Sequence, residues 1–167
     1  MPRATAEDLR FAADAMLGDL AKWLRVMGYD VVYDQTIEDT ALLQLAEKEQ
    51  RVILTKDKGL FEEALKRGLK CVYVKGTKIE EKLYRVAVET RLELKIDLSR
   101  TRCPKCNSVL RVEEKSEFIE RLPPSVLMHQ KVFWVCDLCG GVYWTGSHYV
   151  SMNKILKTVR EKISRGE

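Results

Sequence analysis

No stretch of the 167 residues is long or apolar enough to cross a membrane, and no apolar leader stands at the amino end. Both absences read as a chain kept in a reducing, cytoplasmic compartment. No internal repeat and no low-complexity tract is present, which excludes repeat architectures. Net charge is also small, +4 overall, but unevenly shared. Residues 1–98 hold 17 Lys and Arg against 18 Asp and Glu, and residues 99–167 hold 12 against 7. The first part is therefore nearly neutral and the second distinctly basic, which suits either a solvated surface or a phosphate-rich partner.

What the chain does have is five cysteines, four of them in two matched pairs, Cys103-Pro-Lys-Cys106 and Cys136-Asp-Leu-Cys139. A Cys-x-x-Cys turn lets two thiolates reach one ion from a tight loop, and two such turns complete a closed tetrahedron of the kind that holds structural zinc. Four thiolates leave no open position for water, so the site reads as structural. Gly140-Gly141 after the second pair supplies the positive φ such a knuckle needs. Disulfides are disfavoured by the reducing compartment and the odd Cys71, and a redox dithiol would require one pair on a βαβ turn. The 29 residues between the pairs imply an inserted hairpin carrying a Pro123-Pro124 turn. Phe133 and Trp134 are expected to pack beneath the metal, and neither His129 nor His148 is needed as a ligand.

The first 98 residues alternate β-branched runs with amphipathic stretches, the rhythm of an α/β fold with a parallel sheet covered by helices. Strands are expected at Arg10–Ala13, Asp30–Tyr33, Arg51–Leu54 and Cys71–Val74. Helices are expected over Ala15–Met27, from a Thr36-x-x-Asp39 capping box onward, over Gly59–Arg67 and over Ile79–Leu92. A boundary falls at the polar stretch Ser99–Arg102, so residues 1–98 form the α/β domain and 99–152 a small β-rich zinc ribbon. A basic C-terminal helix follows over 153–167.

Reactive groups of open parallel sheets gather beyond the carboxyl ends of the strands. Asp14 follows the first strand, Asp57 the third, and Asp39 opens the helix between the second and third. Singly, each can be a helix cap or a first-turn acid. Together at one edge they would repel unless a cation neutralised them, and oxygen-only ligands select Mg²⁺ or Mn²⁺. Lys22 and Arg25 share a helix face near these acids, Arg51 opens the third strand, and Lys56 lies between Thr55 and Asp57. All four suit solvent or a phosphate backbone equally. Further on, Arg102, Lys105, Trp144, His148 and Tyr149 interleave cations with rings that can stack on unpaired bases.

Phe11-Ala-Ala-Asp14-Ala-Met-Leu-Gly-Asp-Leu-Ala-Lys-Trp-Leu-Arg25, Asp39-x-x-Leu42-Leu43-x-x-Ala46, Arg51-Val-Ile-Leu-Thr-Lys-Asp57, the two cysteine pairs and Val142-Tyr-Trp-Thr-Gly-Ser-His148-Tyr149 occur in that order. This set resembles the Mut-seven C-terminal RNase domain family, a PIN-like nuclease fold with an appended zinc ribbon. The resemblance implies a metal-dependent ribonuclease in which Asp14, Asp39 and Asp57 occupy the acidic positions, with Asp34, Glu62 or Glu80 open as a fourth acid. RNA is the implied partner. The alternative is a ribosome-associated or rRNA-binding protein that holds RNA without cutting it.

Overall fold

The computed structural model describes residues 2–114 and 120–167. Strands β1 (Arg10–Ala13), β2 (Asp30–Tyr33), β3 (Val52–Thr55) and β4 (Cys71–Tyr73) form a sheet in the order β2-β1-β3-β4. Every pairing in it is parallel. Helices α1 (Gly18–Val26), α2 (Asp39–Glu49), α3 (Lys58–Lys66) and α4 (Ile79–Thr90) make the crossovers and their continuation. The expected α/β architecture is therefore present.

Alternate residues of the central strands face opposite ways, as period-2 geometry requires. Phe11, Ala13, Val52 and Leu54 share a buried cluster with Leu20, Leu24, Leu83 and Val86 from α1 and α4. Ala12 and Ile53 point to the other face, against Leu42, Leu43, Ala46, Leu60 and Ala64 from α2 and α3. Both faces are covered, which explains why β1 and β3 read as nearly unbroken apolar runs.

The second unit is an antiparallel sheet of β5 (Arg111–Glu114), β6 (Val132–Val135) and β7 (Val142–Tyr143). Between β5 and β6 lies a short helix, α5 (Pro124–His129). The expected Pro123-Pro124 turn is thus corrected: Pro124 opens a helix, where its missing N–H is no loss. Phe133 is fully buried with Leu127 and Val135 in this unit's own core. Trp134 turns outward instead, and its indole Nε1 donates to the Leu98 carbonyl at 3.1 Å.

Three other expectations change. The C-terminal helix α6 (Ser147–Arg165) starts six residues before Asn153, and its Leu156 and Val159 enter the α/β core, packed against α4. Thr36 forms no capping box, because its amide and hydroxyl both donate to Asp34 Oδ1 at 2.8 Å. The first helix, expected from Ala15, begins only at Gly18, and Met16 before it is 65 % exposed. Among the described residues no helix is long and apolar enough to cross a membrane.

Candidate metal centre and carboxylate edge

Each cysteine pair closes a turn of the same design. Asn107 donates its amide to the Cys103 carbonyl at 2.9 Å, and Gly140 donates to the Cys136 carbonyl at 2.8 Å. Both residues have positive φ, 69° and 76°. Glycine adopts this conformation freely, and asparagine is among the few side chains that tolerate it. The four thiols converge so that all Sγ atoms lie within 4.8 Å of one another. Cys103 and Cys139 are 3.5 Å apart and Cys106 and Cys136 3.3 Å. These separations far exceed a disulfide bond of about 2.0 Å and approach the edge of about 3.8 Å implied by four zinc–sulfur bonds of about 2.3 Å. The four cysteines can hold a zinc ion. Burial pushes the Cys136 thiol up, but hydrogen bonds from the Ser108 hydroxyl at 3.0 Å and the Cys139 amide at 3.4 Å outweigh it and bring it down to about 6. At Cys136 the surroundings therefore favour the thiolate that a metal needs, whereas at Cys139 a hydrogen bond with the Gly141 backbone is outweighed by those to the Cys103 and Cys136 thiols, which push it up to about 12. Cys71 is the opposite case, pushed up to about 12 by burial and then by the Asp14 charge.

Asn107 is placed for a second task that a glycine could not perform. Its amide nitrogen donates to Asp30 Oδ1 at 2.7 Å and its side-chain oxygen accepts the Val31 N–H at 3.0 Å, which ties the first knuckle to β2. Arg25 makes the matching tie from α1. Its Nε donates to the Val31 carbonyl at 3.0 Å, and Nη1 to the Pro104 and Lys105 carbonyls at 2.9 and 3.3 Å. Arg25 is only 4 % exposed, so the reading of it as a phosphate ligand is corrected. Arg51 is corrected on the same grounds: it is buried, donates to the Phe11 carbonyl at 3.2 Å and pairs with both Asp30 oxygens, at 2.9 and 3.1 Å, and with Glu49.

The sheet order reverses direction at β1, whose neighbours are β2 on one side and β3 on the other, and the crevice of an open sheet forms at such a reversal. Asp14 and Asp57 sit just past the carboxyl ends of β1 and β3. Asp14 is buried, with Oδ1 accepting the Met16 N–H at 2.8 Å and Oδ2 accepting the Thr55 hydroxyl and the Lys56 N–H. Thr55 also accepts the Asp57 N–H at 2.9 Å, so one buried hydroxyl holds the two acid-bearing turns together. Its signal was the Thr-Lys-Asp run closing β3. Asp57 caps α3 through the Leu60 N–H at 2.8 Å. Asp39, the first residue of α2, is exposed and forms no side-chain hydrogen bond among the described residues.

Partial desolvation, then the negative charges of Asp57 and Asp14, raise the Asp39 carboxyl above its ordinary value. Asp39 therefore lies near enough to Asp57 and Asp14 to feel both charges. Their oxygens do not form a tight cluster: among the described residues the cysteines are the one group of three or more such ligands within 4.8 Å. Asp34 turns back to Thr36, and Glu62 lies 3.9 Å from Lys58 on α3; neither they nor Glu80 is among the charges acting on Asp39. Lys56 reaches across to the Gly76 carbonyl at 2.8 Å. Lys22 is exposed, and His148 sits in the first turn of α6.

Fold and site together define a protein built from a parallel α/β sheet with an attached four-cysteine module. The model of the Mut7-C RNAse domain family matches residues 9–156, and the chain belongs to that family. No curated protein and no solved structure matches it.

Proposed function

We propose that this chain is a metal-dependent ribonuclease that hydrolyses RNA phosphodiester bonds at the carboxyl edge of β1 and β3. Membership of an RNAse-domain family supports a nuclease or RNA-related role with RNA as substrate or partner. The observation that carries the finer reading is the placement of Asp14 and Asp57 just past the carboxyl ends of β1 and β3, where the sheet order reverses, with Asp39 close enough to feel both charges. Partial desolvation, then the charges of Asp57 and Asp14, raise the carboxyl of Asp39, which has no side-chain hydrogen-bond partner among the described residues, and a hard cation would relieve that field.

In this reading Asp14 is the fixed acid, locked by Thr55 and the Lys56 amide, while Asp39 and Asp57 turn solvent-facing oxygens to the crevice. The three would hold Mg²⁺ or Mn²⁺, which when bound lowers the pKa of water and stabilises a departing oxygen. Water adds to phosphorus, a phosphorus–oxygen bond breaks, and the leaving oxygen takes a proton. Lys22, on the exposed face of α1 beyond Asp14, neutralises an incoming phosphate. Zinc at the four cysteines is structural, and the protein works in the cytoplasm.

A second reading keeps the RNA and removes the cut. Asp14 already accepts three hydrogen bonds and Asp57 is occupied as a cap, which favours an RNA-binding protein, for instance on rRNA or the ribosome, over an enzyme. Incubating single-stranded RNA with the purified protein and Mn²⁺ separates the two. The enzyme cuts, and Asp39→Asn stays folded and does not cut. A binder retains the RNA in a salt-sensitive manner and yields no products at any ion concentration.

A further inference from the structure

All three tryptophans of the chain line a single cavity. It lies between α1, the ribbon and the start of α6, with a volume of about 450 Å³. Trp23 comes from α1, Trp134 from β6, Trp144 from the segment after β7, and Tyr149 from the first turn of α6. Trp134 is pinned by its bond to the Leu98 carbonyl, which leaves its ring as a wall. Trp144 rests edge-on against buried Phe133, with centroids 6.3 Å apart and planes at 70°. A Cβ at position 146 would come within 2.9 Å of the Trp144 indole nitrogen, so Gly146 is what allows the ring to lie over the entry to α6.

The charges around these rings decide what the cavity accepts. A cage of aromatic faces can take a quaternary cation, but only where no competing cation is present. Here Lys22 belongs to the lining, exposed and without an ion-pair partner among the described residues, together with His148 and with Arg102, whose Nη1 donates to the Asn107 carbonyl at 2.9 Å. The one carboxylate of the lining among the described residues, Asp19, is engaged by Lys82 Nζ at 2.7 Å. An apolar slot with a free cation in its lining suits a flat uncharged ring attached to an anion. The volume is in the range of small-ligand sites.

We infer that this cavity receives one unpaired nucleobase of a bound RNA strand, stacked among Trp23, Trp134, Trp144 and Tyr149, with the adjoining phosphate on Lys22. The inference rests on the RNA-directed reading above and deepens it. α1 supplies the geometry: its first residues follow the Asp14 turn, where the Leu17 N–H meets the Asp14 carbonyl at 3.1 Å, and its last residues dock on the ribbon. A strand anchored by a base in the cavity is therefore laid along α1 toward the carboxylate edge. Base–aromatic stacking tolerates every base, so the pocket selects single strands rather than a sequence.

The test uses intrinsic fluorescence, because every tryptophan reports from this cavity. The full-length zinc-loaded protein is titrated, without divalent cation beyond its zinc, with a 12-residue oligouridine and with an abasic oligomer of equal length and charge. Wild type should bind oligouridine with quenched emission and at least about tenfold more tightly than the abasic strand. Trp144→Ala, verified by one equivalent of zinc and an unchanged urea midpoint, should bring the two affinities together, as should Tyr149→Ala. Lys22→Ala should weaken both strands alike and lower the salt slope by about one. Equal wild-type affinity for both strands, with no change in emission, overturns the base pocket and leaves the RNA reading standing. Absence of binding to either strand at low salt overturns both. Quenching by a trimethyl-lysine peptide but not by oligouridine would assign the cavity to a cationic protein partner and overturn the inference.

Discussion

Replacing Arg25 by methionine tests how the two units are joined. The guanidinium spends its Nε on the Val31 carbonyl and its Nη1 on two knuckle carbonyls, at 3.0, 2.9 and 3.3 Å. A hydrogen bond from a charged donor contributes roughly 1.5–3 kcal/mol, and an orphaned buried acceptor costs roughly 1–3 kcal/mol. Two good bonds at up to about 3 kcal/mol each give about 6 kcal/mol, to which the long bond sharing Nη1 adds little. Part of that is offset, because burial already lowers the pKa of the Arg25 cation, with the Cys103 and Cys106 charges and Asp30 opposing the shift. Methionine is spared that desolvation and keeps the apolar stem. A net loss of about 2–4 kcal/mol follows, which in urea, at about 2 kcal/mol/M, moves the midpoint down by about 1–2 M. Arg25→Lys should recover little, since one ammonium cannot reproduce the planar fork across three carbonyls. Zinc should stay bound, because no ligand is lost. If Arg25→Met unfolds at the wild-type midpoint but weakens RNA binding, the clamp is wrong and the phosphate reading of Arg25 returns.

The Asp30 pair gives a pH test with a definite sign. Burial would raise this carboxyl, but hydrogen bonds from Arg51 and Asn107 outweigh it and hold it below its ordinary value. Its contribution is thus full above the unfolded pKa of about 3.9 and lost as pH falls through the lower folded value. Asp30→Asn should cost about 2 kcal/mol at pH 7 and flatten the acid limb of a stability–pH curve; an unchanged limb refutes the assignment. At Asp39 the sign is reversed. NMR titration should place its carboxyl above the ordinary aspartate value, and Asp57→Asn should bring it down; no movement would mean the acids do not share an edge. Removing zinc with a chelator and a thiol-blocking reagent should unfold the ribbon while the parallel sheet keeps its far-ultraviolet signal, and loss of both together would show that the α/β unit depends on the metal.

Much of this arrangement was legible because the signals were local. Short apolar runs bounded by Asp, Gly or Lys, β-branched in all but β1, located the four parallel strands within a residue or two, and Cys-x-x-Cys spacing located the metal centre. Burial of long cations was not legible. Lys22 and Arg25 look equivalent along the chain, yet one faces solvent and the other is buried against carbonyls some 80 positions away. The start of α6 was hidden for a related reason: Tyr149 serves both the aromatic cavity and the first turn of a helix, and its ring resembles ribbon sequence. Asn107 gave a weak cue only in hindsight, as the counterpart of Gly140 in the first knuckle. The three acids could be nominated by position at strand ends, but their shared electrostatic environment depends on the sheet order, which periodicity does not specify.

Titrating Mn²⁺ into the protein while following the electron-paramagnetic signal of the free ion bears most directly on the claim that Asp14, Asp39 and Asp57 form one hard-ion site. Wild type should deplete the free signal, and Asp39→Asn, whose side chain holds nothing else in place, should remain folded and leave it undepleted. Equal depletion by both proteins, or by neither, would contradict the account.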